Sequence, residues 1–251
     1  MNFRVSIDIA PTAAEAAIRV SARIAEHISI AAMSPRPCRL GLATGSTPEP
    51  VYCDLAGRVA RGELSMASVA TFNLDEYVGL AKDHPQSYHT YMHRQLFDHV
   101  DIDLSQTHLP RGDAVDPEQE AKRYEQAIAA AGDMSCQLLG IGRNGHIGFN
   151  EPGSEPDSLT RVVQLTEDTI RANARFFDDI DDVPRQAITV GIGTILRSQH
   201  IILLATGESK ASAVAAAIDG PVTKGHPASF LQTHPKVTFV LDRAAAGLLR
   251  D

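Results

Sequence analysis

The chain has 251 residues and a formal net charge of −8, from 23 basic and 31 acidic side chains. This length suits one α/β domain that folds without disulfide or metal support, and the acidic balance argues against nucleic acid or an anionic membrane surface as the main partner. Its longest apolar stretches, such as residues 201–205, are too short to cross a bilayer, and no signal peptide is recognised at the start. The three cysteines are sparse and have no metal-ligand spacing. We therefore expect a single domain over residues 1–251, cytoplasmic and free of metal.

Predicted strands and helices alternate along the chain. The first strand, at 3–9, precedes a helix at 13–32, where Thr12 and Glu15 have the spacing of a capping box. There follow, in chain order, a strand at 38–43, a helix at 51–59, a strand at 69–73, helices at 85–100 and 117–131, a strand at 134–141, a helix at 166–177, strands at 187–190 and 200–205, a helix from about 209, and a last strand at 237–241. This alternation predicts an α/β fold of Rossmann-like type: an open, mainly parallel sheet with helices on both faces, in three layers.

Polar loops follow four of the predicted strands, after residues 43, 73, 141 and 205. In open parallel sheets, ligands bind beyond the carboxyl ends of the strands, where the strand order reverses. We therefore expect the active site at these loops.

The first of these loops carries Thr44, Gly45, Ser46 and Thr47 before Pro48. Its glycine, hydroxyl groups and free helix N-terminal N–H groups suit a phosphate. It has neither the Lys-Ser/Thr ending of a nucleotide-binding P-loop nor the spacing of a dinucleotide fingerprint. The alternative is a structural turn, with Ser46 or Thr47 capping the helix and Pro48 in its first position.

Two further loops carry groups that can move protons. Asp75 and Glu76 follow a buried strand, so that one carboxylate can act as a general base while the other faces away; alternatively, both are helix N-terminal charges. His146 and Glu151 lie in the glycine-rich loop 140–153, close enough in sequence to face one pocket. Imidazole exchanges protons readily near neutral pH, but a structural histidine in a tight turn is the alternative.

Two cations stand out in this acidic chain. Lys210 lies at the predicted start of a helix, where a positive charge opposes the helix dipole unless an anion is bound there. That placement favours Lys210 as a phosphate ligand. Arg175, on a predicted helix, is by itself more typical of a surface residue.

Eight segments resemble the glucosamine/galactosamine-6-phosphate isomerase family, in order and without a large gap between about residues 40 and 242. They are LGLATGSTPEPVY at 40–52, FNLDEYVGL at 72–80, HPQSYHTYM at 84–92, GIGRNGHIGFNEPGS at 140–154, NARFF at 173–177, AITVGIGTIL at 187–196, ATGESKA at 205–211 and LQTHPKVTFVLD at 231–242. The combination of FNLDEYVGL with GHIGFNEPGS is the specific part of this resemblance.

The resemblance implies the activity of a glucosamine-6-phosphate deaminase: glucosamine 6-phosphate and water give fructose 6-phosphate and ammonia, without a metal or organic cofactor. It implies that Asp75 moves a proton between C2 and C1. It also implies that His146 opens the sugar ring, with Asn144 and Glu151 as its partners. The phosphate is expected on Thr44, Gly45, Ser46, Thr47, Arg175 and Lys210.

Three alternatives remain open at this stage. Galactosamine-6-phosphate deaminase differs only in the sugar epimer at C4. A 6-phosphogluconolactonase has the same fold but, as a hydrolase of another kind, would not need Asp75. A phosphosugar-sensing module would use the same fold without catalysis. The presence of Asp75, His146 and Glu151 together favours catalysis over sensing. We expect a phosphosugar as the only partner besides other copies of the chain, and a monomer or small homo-oligomer.

Overall fold

The structure, a computed structural model, describes residues 5–33, 37–174, 177 and 179–250. Within these residues the chain forms ten strands and seven α-helices, joined by loops and short 3₁₀ turns. The strands are β1 (Ser6–Ala10), β2 (Cys38–Leu42), β3 (Val69–Asn73), β4 (Asp75–Tyr77), β5 (Thr107–His108), β6 (Cys136–Leu139), β7 (Arg161–Gln164), β8 (Gln186–Thr189), β9 (Ile201–Ala205) and β10 (Val237–Asp242). The helices are α1 (Ala13–Ala32), α2 (Glu49–Ala60), α3 (Tyr88–Gln95), α4 (Pro117–Ala131), α5 (Glu167–Asn173), α6 (Ile192–Ile195) and α7 (Ala211–Asp219).

Seven strands form one parallel sheet, in the order β1-β10-β9-β6-β2-β3-β5. From β2 the chain winds outward through β3 to β5, then returns to β6 on the other side of β2. The strand order therefore reverses between β2 and β6, which is where such sheets bind ligands. The predicted α/β fold with an open parallel sheet is confirmed.

A second, smaller sheet was not predicted. Strands β4, β8 and β7 pair antiparallel in that order, so the strand expected at 187–190 belongs to this sheet and not to the parallel one. Strand β4 begins two residues after β3 ends, and it pairs Asp75 with Thr189 of β8. The small sheet thus holds Asp75 at the carboxyl end of β3.

Apolar packing covers both faces of the parallel sheet, as a three-layer fold requires. On one face, helices α1, α2 and α3 bury residues such as Val20, Ile24, Leu55 and Met92. On the other, helices α4, α6 and α7 contribute Tyr124, Ile128, Ile195 and Val214. A third, smaller cluster packs on the antiparallel sheet and includes Tyr77, Phe149, Leu165, Ile170, Val183 and Ala187.

Element ends differ from expectation at several places. The helix expected at 85–100 is shorter: Ser87 caps α3 through its side chain, and the helix ends at Gln95, because the φ of −141° at Leu96 is not helical. Strand β1 begins at Ser6, while part of the stretch predicted for it lies outside the described residues. The Thr12 cap is confirmed by a 3.2 Å hydrogen bond from the Glu15 amide. None of the described helices is long and apolar enough to cross a membrane.

Candidate functional site

The loops after β2, β3, β6 and β9 meet at a cavity of about 650 Å³ beyond the carboxyl ends of the parallel strands. Its walls are formed by Ala43, Thr44, Gly45, Thr47, Pro48, Leu74, Asp75, Tyr88, Gly140, Ile141, Gly142, Arg143, Asn144, His146, Gly148, Phe149, Asp168, Thr169, Arg171, Asn173 and Lys210. This is the predicted edge of the sheet, at the reversal between β2 and β6. A second cavity, of about 30 Å³ beside α4, contains none of the predicted site residues.

The two acidic residues of β4 point in different directions. Asp75 is 5% exposed and faces the cavity, and no described side chain donates a hydrogen bond to its carboxylate. Burial, with a smaller contribution from the charge of Glu76, raises the pKa of Asp75 to about 8. The Glu76 carboxylate instead accepts the backbone N–H groups of Tyr88 and His89 at 3.0 Å each, at the start of α3. Of these two carboxylates, the one that contacts the start of a helix is Glu76, and the one that faces the cavity is Asp75.

His146 is held in a tight glycine turn at the end of β6. The Gly142 amide donates to the His146 carbonyl at 2.9 Å, and a Cβ at Gly142 would clash with the His146 ring. The turn is anchored by buried Asn150, whose side-chain nitrogen donates to the carbonyls of Ile147 and Val190 at 2.9 Å each. Glycine is therefore required at position 142 because the imidazole occupies the space of its side chain.

The Glu151 carboxylate lies behind His146 and is itself 12% exposed. Its Oε1 is 3.4 Å from His146 Nδ1, close enough for an ion pair. His146 Nδ1 is nevertheless buried without a hydrogen-bonding partner among the described residues, because this contact lacks hydrogen-bond geometry. Burial raises the pKa of Glu151, but the neighbouring His146 and the hydrogen bonds from Thr169 and Asn144 outweigh it and lower that pKa to about 2. Glu151 is therefore an anion beside the imidazole.

Asn144 contacts Glu151 and not the imidazole. Its side-chain nitrogen donates to Glu151 Oε2 at 2.7 Å, and its side-chain oxygen accepts the backbone N–H of His146 at 3.2 Å. Asn144, expected as a partner of His146, thus has no hydrogen bond to the imidazole, because the turn directs its side-chain oxygen to the backbone. Asn144 supports His146 through Glu151.

Two threonines at the start of α5 complete the surroundings of Glu151. Thr169 donates to Glu151 Oε1 at 2.6 Å, and the Thr166 hydroxyl lies 3.4 Å from the same oxygen. The sequence analysis missed both residues. Their spacing, with Thr166 as the cap of α5, signals only a helix start, and nothing local links them to Glu151.

The loop after β2, at residues 44–47, and Lys210 face the same cavity. Lys210 is half-buried, and its ammonium group donates to the Ile141 carbonyl at 2.7 Å. Burial lowers the pKa of Lys210, and the charge of nearby Arg143 lowers it further. Thr44, Gly45 and Thr47 line the cavity. Ser46 is exposed and is not among the lining residues, so its part in binding stays a prediction.

The alternative of a capped turn in this loop is wrong. Pro48 occupies the cap position of α2, with no side-chain cap, and the helix begins at Glu49. The hydroxyl groups of Ser46 and Thr47 are therefore not used to cap the helix.

Of the predicted site residues, Asp75, Asn144, His146, Lys210 and the loop residues Thr44, Gly45 and Thr47 share one cavity, with Glu151 directly behind it. Arg175 lies outside the described residues. Sequence reasoning missed Arg143, Arg171 and Tyr88 as lining residues. Arg143 could have been found as a basic residue within the glycine-rich loop of an acidic chain.

Comparison with known proteins assigns a family to this arrangement. Residues 11–240 match the family described as glucosamine-6-phosphate isomerases/6-phosphogluconolactonase. The glucosamine-6-phosphate deaminase of Rhodopirellula baltica is 56% identical over 245 residues, which cover 98% of this chain and 96% of the relative. The glucosamine-6-phosphate deaminase of Halothermothrix orenii is 53% identical over 210 residues, 84% of this chain and 87% of the relative.

Solved structures agree with this assignment. A structure described as a monomeric glucosamine-6-phosphate deaminase superposes with a TM-score of 0.93 at 46% identity, covering 97% of this chain and all of the other. The 6-phosphogluconolactonase from Trypanosoma cruzi, with a TM-score of 0.81 at 22% identity, covers all of this chain and 99% of its own, and it shows the shared fold alone. The chain belongs to the family of glucosamine-6-phosphate isomerases and 6-phosphogluconolactonases.

Proposed function

We propose that this protein is a glucosamine-6-phosphate deaminase, which converts glucosamine 6-phosphate and water to fructose 6-phosphate and ammonia. The observation that carries the proposal is the Asp75 carboxylate. It is buried, faces the cavity and has no described hydrogen-bond donor, while a carboxylate with only a structural role is normally paired. The same activity is named for the relatives at 53–56% identity.

In the proposed mechanism, His146 and Asp75 act on different parts of the sugar. The C2 proton becomes acidic only once C1 is a free carbonyl, so the pyranose ring must open first. His146 moves the proton from the C1 hydroxyl to the ring oxygen, and the Glu151 anion stabilises the imidazolium that forms. Asn144 fixes Glu151 through its 2.7 Å hydrogen bond.

Asp75 then takes the proton from C2 and returns it to C1. Removal of the C2 proton, with transfer of one proton from the substrate ammonium group to O1, gives an enolamine, and protonation of that enolamine at C1 gives a protonated imine at C2. Water hydrolyses the imine to the ketose and ammonia. In the empty cavity the raised pKa keeps Asp75 protonated at neutral pH, and the ammonium group of the bound substrate favours its charged form.

We propose that the substrate phosphate binds in the same cavity, beside Lys210 and Arg143. Lys210 supplies a half-buried positive charge there, and Arg143 lies close enough to lower its pKa. Two neighbouring cations repel each other unless an anion is bound between them. Thr44, Gly45, Ser46 and Thr47 add hydroxyl and backbone donors, and Arg175 remains part of the proposal.

The test is incubation of the purified protein with glucosamine 6-phosphate or galactosamine 6-phosphate, with assays for ammonia and ketose. The proposal expects equal amounts of ammonia and fructose 6-phosphate from glucosamine 6-phosphate. Ammonia released only from galactosamine 6-phosphate would mean that this sugar phosphate is the substrate. Binding of either sugar phosphate without turnover would indicate a sensing module instead.

We also propose that residues 1–251 act as one domain, as a monomer in the cytoplasm. The related structure of TM-score 0.93 is described as monomeric. Sedimentation or size-exclusion measurement of the active protein tests the monomer. Cooperative unfolding in one transition tests the single domain.

A further inference from the structure

The hydroxyl group of Thr169 makes a short hydrogen bond to Glu151. It donates to Oε1 at 2.6 Å, a length typical of a hydrogen bond to an ionised carboxylate. Thr166 supports this donor, since its own hydroxyl lies 3.0 Å from Thr169 Oγ1. Thr169 is 7% exposed, so its hydroxyl group is largely buried against Glu151.

The two oxygens of Glu151 are held from opposite sides. Oε2 accepts from Asn144 in the glycine-rich loop, and Oε1 accepts from Thr169 in α5. Together these bonds fix the plane of the carboxylate, with Oε1 3.4 Å from His146 Nδ1. Without Thr169, the carboxylate keeps only the bond from Asn144 and the longer 3.4 Å contact of Thr166, so it is freer to rotate about its last side-chain torsion and turn Oε1 away from the imidazole.

Thr169 also belongs to a wall of the cavity. Thr169, Arg171 and Asn173 all lie in α5, and all three line the cavity. Helix α5 therefore both borders the cavity and carries the hydroxyl group that holds Glu151.

We infer that Thr169 is a positioning residue, which orients Glu151 so that its anion stabilises the His146 imidazolium during ring opening. This inference rests on the proposed deaminase function. Thr169 does not touch the reacting atoms; it acts through Glu151. No role was expected for it from the sequence.

The experiment measures ammonia release from glucosamine 6-phosphate by the full chain and by Thr169→Val and Thr169→Ser. Loss of a hydrogen bond to a charged group predicts a kcat about 10- to 100-fold lower in Thr169→Val. The KM should stay within about twofold, because the substrate does not touch this hydroxyl in the proposed mechanism. Thr169→Ser keeps the donor and should retain kcat within about threefold.

A double-mutant cycle separates positioning from a general structural effect. If Thr169 acts through Glu151, Thr169→Val should lower kcat by less than about twofold in a Glu151→Gln background. Thr194→Val is the matched control: its hydroxyl is 2.9 Å from the Glu125 carboxylate, away from the cavity of His146, and it should leave kcat unchanged. Thr169→Ala replaces Thr169→Val in the same cycle if the valine variant does not fold.

An active wild-type protein whose Thr169→Val variant keeps its kcat, or loses it equally in both backgrounds, would overturn the inference alone. A wild-type protein that releases no ammonia would overturn the proposed function, and the inference with it. The two failures are therefore distinguishable by the wild-type assay.

Discussion

Asp75 and Glu76 are consecutive residues of β4, and their carboxylates lie on opposite sides of that strand. Glu76 accepts backbone N–H groups at the start of α3, whereas Asp75 faces the cavity without a described donor. Alternation of side chains along a strand accounts for this division. It leaves a buried carboxyl group at the sheet edge, with a pKa raised to about 8 chiefly by burial.

The first prediction concerns the pH dependence of catalysis. A general base works in its deprotonated form, so kcat/KM should rise with pH, with a midpoint near 8, the pKa of Asp75 in the free protein. The corresponding limb of kcat should lie at lower pH, because the substrate ammonium favours the charged carboxylate. Initial rates across the pH range measure both limbs.

Glu76→Gln is the control for this assignment. The charge of Glu76 raises the pKa of Asp75, so its removal should move the limb of kcat/KM to lower pH. A limb near pH 4 in the wild-type protein, as for an exposed carboxylate, would contradict a buried Asp75 as base.

The second prediction concerns stability. The pKa of Asp75 is about 8 in the folded protein against an ordinary 3.8, so between these values only the folded state holds the proton. Raising the pH across this range therefore favours unfolding, by at most about 1.4 kcal/mol per pH unit. Asp75→Asn lacks this penalty.

The stability gain from Asp75→Asn over the wild-type protein should grow between about pH 5 and 8. Urea unfolding of both proteins at several pH values measures the difference, and Glu76, which is present in both, does not contribute to it directly. A gain that does not change with pH would mean that Asp75 is ionised in the folded protein throughout this range.

The sequence allowed prediction of six of the seven parallel strands because those strands are short runs between helical segments, whereas the two-residue strand β5 was not predicted. The small antiparallel sheet escaped prediction. Strand β4 is a three-residue strand with two acidic side chains, DEY, and its burial comes from packing against β8 and α3, not from an apolar pattern. The result matters, since this sheet orients Asp75.

Contacts between segments that are distant in the chain could not be predicted from the sequence either. The bond from Thr169 to Glu151 joins residues 18 apart in the chain, in a loop and a helix whose approach depends on the whole fold. Asn144 was singled out from the sequence and lines the cavity, but its bond to Glu151 was not predicted, because a glycine turn can direct an amide to backbone or side chain alike. The residue types at strand ends therefore indicate where the site lies, but they do not indicate which side chains hydrogen-bond to one another.

The third prediction tests the anion site. Lys210→Met should raise KM for the sugar phosphate about 10- to 100-fold with a smaller effect on kcat, since it removes a hydrogen bond to a charged group. Lys224→Met is the matched control, because Lys224 is exposed and pairs with Glu155 away from the cavity lining. An unchanged KM in Lys210→Met would place the phosphate elsewhere.

The fourth prediction concerns Asn144→Asp. The substitution replaces a 2.7 Å donor to Glu151 with a second carboxylate, and two carboxylates this close cannot both ionise freely. The pKa of Glu151, now about 2, should rise, and the variant should lose at least about 1.4 kcal/mol of stability at neutral pH per unit of that rise.

Because protonation relieves the repulsion, the destabilisation by Asn144→Asp should be smaller near pH 4 than near pH 7, as measured by urea unfolding. Asn144→Ala loses the same hydrogen bond without adding a charge and serves as the control. Equal destabilisation by Asn144→Asp at both pH values would contradict the direct contact between residues 144 and 151.

The most direct measurement follows the hydrogen on C2 of glucosamine 6-phosphate, using substrate deuterated at that carbon. The account predicts a primary isotope effect on ammonia release, with the deuterium found at C1 of fructose 6-phosphate or lost to solvent. It also predicts that Asp75→Asn lowers kcat by about 10²–10⁴-fold, while Glu76→Gln retains turnover. Ammonia release at the same rate from deuterated and undeuterated substrate, or full activity of Asp75→Asn, would contradict proton transfer by Asp75.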